Sequence, residues 1–131
     1  MNTPASEPHL PLIHSCLDKW SGENPDKTAL IQHETGWAVS YRELNEMVDL
    51  FALGLLKLGV VKGERVAVMG LQSVQYIALQ YACFKIGAVL SPLDIKLKPQ
   101  EVVRELRQIT PALFILHAPS AQNDFYEAGR A

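Results

Sequence analysis

The spacing of hydrophobic residues along this chain changes at Gly63. Beyond it lie three short apolar runs, at residues 66–69, 88–93 and 112–116. Two segments of helical length, 73–86 and 99–109, separate them. Continuous apolar runs are typical of parallel strands that helices cover on both faces. Because connections between parallel strands are right-handed, the spacing predicts an α/β fold with a βαβαβ unit of a partial doubly wound, mainly parallel sheet.

The first half of the chain follows a different pattern. Leu12, Ile13, Leu17 and Trp20 predict a short amphipathic helix. Two β-prone runs, 28–32 and 37–40, flank Glu34, Thr35 and Gly36 and predict a small hairpin. Ser40 and Glu43 have the spacing of a capping box, so a second helix should begin near Tyr41. Gly59 is placed to end that helix in a left-handed turn.

The predicted helix at 73–86 is apolar around most of its circumference. One stripe is formed by Val74, Ile77, Ala78, Tyr81 and Ala82, and the remaining faces by Tyr76, Leu79, Cys83, Phe84 and Ile86. A surface helix needs only one such stripe. We therefore expect this helix to lie between two layers, with a partner on its far side that comes either from self-association or from further protein.

Composition limits the classes of function. The chain has 131 residues, of which 48% are apolar, enough for one core. We expect a flexible tail at 1–10, a folded unit at 11–118, and a loop or the start of a further element at 119–131. The net charge of -2 gives no basic field for nucleic acid or an anionic membrane. Gln75, Gln80 and Lys85 interrupt the longest apolar stretch, so no membrane span is expected.

Cysteines, histidines and the N-terminus carry little chemistry. Cys16 and Cys83 lie far apart without a CxxC pattern, which gives neither a zinc site nor a disulfide framework. The N-terminus lacks the features of a signal peptide, so a cytoplasmic location is expected. The four histidines have no ligand at metal-site spacing: His9, His14, His33 and His117. No metal site is predicted.

Four segments in order carry a family resemblance. They are VSYREL at 39–44, GVVKGERVAV at 59–68, QSVQYIALQYACFKIGAVLSPLD at 72–94, and the run 97–115. They are similar to the corresponding motifs of the adenylate-forming (AMP-binding) superfamily, most like those of an acyl-CoA synthetase. Glu64, Gln72 and Asp94 depart mildly from residues common in the family.

The resemblance implies an ATP-dependent ligase that activates a carboxylate as acyl-AMP and transfers it to a thiol. The full-length enzyme would use ATP, Mg²⁺ and CoA or a carrier protein. The family's glycine-rich, Lys-terminated loop and its other phosphate-handling motifs are missing from these 131 residues. The chain is therefore expected to be the N-terminal subdomain of such a ligase, without catalytic or cofactor-binding residues, inactive alone and free of bound cofactors.

Two segments are weak candidates for a binding site. Ser91, Pro92, Leu93 and Asp94 end a predicted strand at the edge where open α/β sheets bind ligands, so they could line a substrate site or simply end the strand. The turn 70–73 precedes a helix and could hold a phosphate, although Ser73 also suits a plain N-cap. Cys83 is expected in the core, and Lys85 is expected to extend its amine to the edge of a layer.

Other functions stay open. A stand-alone interaction or dimerisation module could use the same fold, with its apolar surface forming a homodimer. A flavodoxin-like protein that binds flavin or nucleotide is a third possibility, although the chain has no phosphate loop. For the ligase, the partner is the remainder of the ligase chain. The sequence does not select the carboxylate or the acceptor thiol.

Overall fold

The computed structural model describes residues 11–117 as four helices and five strands. In chain order they are α1 (Ile13–Glu23), β1 (Thr28–Gln32), β2 (Trp37–Ser40), α2 (Tyr41–Lys57), β3 (Arg65–Gly70), α3 (Val74–Ile86), β4 (Val89–Leu93), α4 (Pro99–Ile109) and β5 (Leu113–His117). Every predicted element is present, with its ends shifted by one or two residues. The predicted tail at 1–10 and the segment 119–131 lie outside the described residues.

The sheet is parallel, with strand order β4-β3-β5. From β3 the chain crosses to β4 through α3, and α4 then carries it past β3 to the opposite edge, where β5 pairs with β3. Val66 and Val68 pack in the same cluster as α3, whereas Met69 packs with Val102 of α4. Because neighbouring side chains of a strand point to opposite faces, α3 and α4 cover opposite faces of the sheet. The predicted doubly wound βαβαβ unit is confirmed.

Strand burial differs between the centre and the edges of the sheet. Val66 to Met69 of β3 have no exposed surface. The strands β4 and β5 are mostly half-buried, and Val89 is 48% exposed. Coverage on both faces is therefore complete for β3 and only partial for its neighbours, because each of them is an edge strand within residues 11–117.

The helix α2 and the hairpin form a layer over α3. The Ser40 hydroxyl accepts a hydrogen bond from the Glu43 amide, and the Glu43 carboxylate accepts one from the Ser40 amide, which is the predicted capping box. One face of α2 is buried through Leu44, Val48, Ala52 and Leu55. Antiparallel pairing of β1 with β2 confirms the hairpin. Gly59 has φ 88°, the left-handed conformation expected after the helix.

The expectation that α3 needs a partner from outside the chain is wrong. The far side of α3 is covered by α1, α2 and the hairpin, which all contact it or its cluster. Ala78, Ala82 and Cys83 have no exposed surface. The all-round apolar pattern thus reflects a helix that lies between the sheet and a second layer, which the chain's own N-terminal half builds. The periodicity of α3 alone does not reveal how that second layer packs.

The strands β3 and β5 approach closely where they end. Gly70 pairs with His117, and a Cβ placed on Gly70 would lie 2.6 Å from the His117 carbonyl oxygen and 2.8 Å from its Cβ. Glycine is required there by space, since contacts this short do not occur between real side chains and backbone. By contrast, a Cβ on Gly54 of α2 would meet nothing within 4 Å.

Replacing each of these glycines by alanine tests the close approach. Gly70→Ala should lower the free energy of unfolding by about 1–3 kcal/mol, because β5 must shift to admit the methyl group. Gly54→Ala is the matched control and should raise it by about 0.4–1 kcal/mol, since alanine restricts the unfolded chain and fits the helix. Urea unfolding followed by circular dichroism measures both. An unchanged or higher stability of Gly70→Ala would contradict the described β3–β5 register.

Candidate functional site

The carboxyl ends of the parallel strands form the candidate site. The chain leaves β3 toward α3 on one face and leaves β4 toward α4 on the other face. Adjacent strands whose connections diverge in this way leave a crevice between them, and open α/β sheets bind ligands at such crevices. Residues 70–73 and 94–98 lie at the carboxyl ends of β3 and β4, at this edge of the sheet.

The start of α3 is capped from two elements. The Ser73 hydroxyl accepts a hydrogen bond from the Tyr76 amide at 3.1 Å. The side-chain oxygen of Gln32, at the end of β1, accepts one from the Val74 amide at 3.3 Å. Two of the amides that a helix start offers to an anion therefore already have partners within the chain. This favours the plain N-cap for Ser73 over a phosphate-binding turn.

His117 reaches the same point from β5. Its Nε2 lies 3.4 Å from the Ser73 hydroxyl oxygen, within hydrogen-bonding distance. The absence of a side chain on Gly70 creates the room for this approach. The ends of β1, β3 and β5 and the start of α3 thus meet around Ser73, which is 9% exposed. The arrangement holds the strand ends in place.

The four candidate residues at 91–94 differ in their burial. Leu93 is buried in the cluster under α4, Ser91 is half-buried within β4, and Pro92 is exposed on this edge strand. Asp94 is exposed, follows the strand directly, and accepts a hydrogen bond from the Lys96 amide at 2.9 Å. Asp94 directly follows Leu93, which pairs with Met69 of β3. Substrate lining by this segment stays a prediction.

The loop 70–73 has no glycine-rich phosphate motif. It holds one glycine, and the amides of Val74 and Tyr76 already have partners within the chain. The segment 94–98 carries Asp94 together with Lys96 and Lys98. Among residues 11–117, no three His, Cys, Asp or Glu side chains come together in a way that could hold a metal ion. We therefore derive no phosphate or metal chemistry from this chain's own side chains.

An apolar groove lies on the other side of His117. Its cavity measures about 380 Å³ and is bounded by α2, α3, β3 and β5, through residues that include Leu50, Gly54, Leu58, Tyr76, Ile115 and His117. Burial raises the pKa of the Tyr76 phenol, so this group stays neutral. The open edge of β5 adjoins the groove. Apart from Gln75, Tyr76 and His117 its lining is apolar, so this surface is suited to packing against apolar groups.

The remaining candidate side chains have structural surroundings. Cys83 is fully buried, as expected, and burial raises the pKa of its thiol from 9.0 to about 11, so it is protonated and unreactive at neutral pH. Cys16 is exposed on α1, and both cysteines are free. The Lys85 amine extends to the edge of its layer, as predicted, where it contacts Asp49 and Asp18.

Sequence reasoning missed Gln32 and His117 as parts of the strand-end cluster. Gln32 contacts α3 across 42 residues of chain, and no local pattern marks that contact. His117 could have been found, because it ends a predicted parallel strand and the carboxyl ends of parallel strands share one edge.

Among residues 11–117, no helix combines the length and hydropathy that crossing a bilayer requires.

Comparison with known proteins gives consistent matches. The profile of the AMP-binding enzyme family matches residues 17–129. The mitochondrial medium-chain acyl-CoA ligase ACSF2 of Bos taurus is 30% identical over 97 residues, which are 74% of this chain and 16% of that protein. The acetyl-coenzyme A synthetase of Thiobacillus denitrificans is 40% identical over 85 residues, 63% of this chain and 13% of that protein.

A solved structure shows the same fold. The N-terminal domain of FACL13 from Mycobacterium tuberculosis matches with a TM-score of 0.84 and 30% identity, covering 93% of this chain and 30% of that one. The chain thus spans less than a third of each of these three proteins. The family profile extends over most of the chain, and the predicted resemblance is confirmed: the chain belongs to the family of AMP-binding enzymes.

Proposed function

We propose that this chain is a scaffold layer of an ATP-dependent ligase that joins a carboxylate to a thiol by way of an acyl-adenylate. One observation carries the proposal: the family profile covers residues 17–129, while the loop 70–73 at the strand ends has no glycine-rich phosphate motif. Enzymes of this family use ATP, Mg²⁺ and CoA. The residues that hold these groups would then lie outside the described part of the chain.

The scaffold role follows from how the strand ends are held. Ser73, Gln32 and His117 fix the start of α3 to β1 and β5. Catalysis by adenylate formation depends on holding charged groups in line, so rigid supporting strands are a requirement of the chemistry. In the complete ligase these residues would keep the sheet edge in a constant position beneath the reacting groups.

The apolar groove beside β5 supports the presence of further ligase structure. Within residues 11–117, β5 is an edge strand beside an apolar cavity. A further strand would pair with the outer backbone groups of β5, and its side chains would cover the cavity. We propose that the remainder of the ligase domain occupies this groove, since the matched proteins are three or more times longer than the chain.

The substrate is proposed as an aliphatic carboxylate and the acceptor as CoA, which places the ligase in fatty acid metabolism. Support comes from the names of the relatives, which include acetyl-, medium-chain and long-chain acyl-CoA ligases. Two free cysteines are typical of a reducing compartment and support a cytoplasmic location.

ATP–pyrophosphate exchange tests the proposal with two proteins: the 131-residue chain and the product of the complete reading frame that contains it. A panel of acetate, medium-chain and long-chain fatty acids serves as substrates. We expect exchange with the complete product and none above background with the 131-residue chain, because its loop 70–73 has no glycine-rich phosphate motif. Exchange by the chain alone would overturn its role as scaffold, and no exchange by the complete product would overturn the ligase.

A dimerisation module is the second candidate, and one surface favours it. The outer side of α2 exposes large apolar side chains: Leu50, Leu53, Leu56 and Leu58 are each more than half exposed. Together with the groove beside them they form an apolar patch of the kind that monomers seldom expose. We propose that this patch, left uncovered in the 131-residue chain, lets two copies associate.

Sedimentation equilibrium over a range of concentrations measures this association. We expect a monomer–dimer equilibrium that Leu53→Lys shifts toward monomer, because a charge would be placed in the apolar contact. Leu12→Lys is the matched control: it changes an equally exposed leucine outside the patch and should leave the equilibrium unaltered. A monomer at every concentration, or an equal effect of both variants, would contradict the proposed surface.

A further inference from the structure

The ammonium group of Lys85 joins three helices. Lys85 lies in the last turn of α3, and its amine donates a hydrogen bond to the Asp49 carboxylate on α2. The same amine lies 3.7 Å from a carboxylate oxygen of Asp18 on α1. The Lys85 side chain is 31% exposed, and those of Asp18 and Asp49 are about half exposed, so salt in solution weakens these contacts. The Lys85 side chain therefore connects α1 with α2 and α3.

Apolar burial anchors α1 only weakly. Leu17 is the single buried residue of its 11, whereas α2 buries four of 17. Leu12 and Ile13 at its start are 63% and 59% exposed. The helix also has no side-chain hydrogen bond at its N-cap. A helix this short is marginal without tertiary contacts, so its few contacts with α2 and α3 decide whether it forms.

The polar contacts of α1 with α2 are incompletely satisfied. The Asn45 amide donates to the Ser21 hydroxyl at 3.2 Å, while the buried Asn45 side-chain oxygen has no hydrogen-bond partner among residues 11–117. An unsatisfied buried oxygen costs free energy that water would recover if α1 moved away. Trp20 adds a ring contact with Tyr41, with centroids 6.2 Å apart. The unsatisfied Asn45 oxygen thus opposes the docking of α1, and few contacts, among them that of Trp20 with Tyr41, favour it.

We propose that α1 is a latch, held against α2 and α3 by the Lys85 bridge and released from them as a unit while the remaining fold stays intact. The hydrogen bond to Asp49 raises the pKa of Lys85, so the bridge is charged at neutral pH. Ionic strength and the loss of either charge weaken it. Units of low stability that open independently of the core are common in proteins.

Release of α1 exposes a defined apolar surface. It uncovers the seam between α2 and α3 that Leu17 covers. It also widens a cavity of about 470 Å³ between the start of α1 and the end of α3, which includes Ile13, Phe84, Ile86 and Ala88 in its lining. The state of the latch therefore decides how much of the α2–α3 layer is exposed. The inference rests on contacts of this chain alone and is independent of the proposed ligase.

Hydrogen exchange with mass spectrometry tests the latch on the 131-residue chain, comparing peptides of α1 with peptides of α2. The variants are Lys85→Met and Asp18→Asn, and Arg104→Met is the matched control because it removes an ion pair of 3.6 Å on α4. Each protein is measured at about 0.05 M and about 0.5 M NaCl, between which the Debye length falls severalfold.

We expect each of the two variants to speed exchange in α1 by about two- to fivefold, the range that partly exposed ion pairs support. High salt should do the same in the wild type and have little effect in Lys85→Met. Exchange in α2 should stay unchanged in Asp18→Asn, which leaves the Lys85–Asp49 hydrogen bond in place, and Arg104→Met should leave both helices unchanged. Equal acceleration of α1 and α2 in Asp18→Asn, or unchanged α1 exchange in that variant, would overturn the latch. Asp18 is half exposed, so Asp18→Asn keeps the test valid if Lys85→Met fails to fold.

Discussion

The burial of α3 between two layers is the interaction on which the rest of this structure depends. On one side it packs against the sheet through the cluster that contains Val66 and Val68, and on the other against α2. Small residues at Ala78 and Ala82 let these layers approach, and both are fully buried. Removal of apolar surface from water on both sides of one helix builds the larger of the two buried clusters, while Met69, Leu93 and Val102 form the smaller one under α4.

The same packing determines which groups at the start of α3 already have partners. The start of α3 is used for structure, because side chains from β1 and from its own N-cap take its amides. What the chain leaves open is apolar: the groove beside β5 and the outer leucines of α2. A rigid strand-end cluster next to an uncovered apolar surface suits a scaffold within a larger family enzyme. By contrast, α1 buries only Leu17 and has one ion pair with the core, between Asp18 and Lys85, and on these contacts we propose it as the part of the layer that is released first.

Local signals in the sequence predicted the elements well. Ser40 with Glu43 marked the start of α2, and the alternation of apolar runs with segments of helical length predicted the sheet topology. These features are set by neighbouring residues and by the handedness of crossovers. The cover of α3 and the contacts of Gln32 and Lys85 join residues more than 30 positions apart. They depend on how layers pack, which periodicity within one segment does not encode. For the site, substrate lining by residues 91–94 stays a prediction, and sequence reasoning missed the cluster around Ser73.

Thiol labelling tests the burial of α3 most directly, because Cys83 is a fully buried residue of α3. Cys16, which is exposed on α1, serves as an internal reference. The 131-residue chain is treated with a thiol reagent in buffer and across a urea series, and each cysteine is followed by mass spectrometry. If the chain's own layers enclose α3, Cys16 reacts at once and Cys83 only as the protein unfolds globally. Equal labelling of Cys83 and Cys16 in buffer would show that α3 is uncovered without further protein and would contradict the structure described.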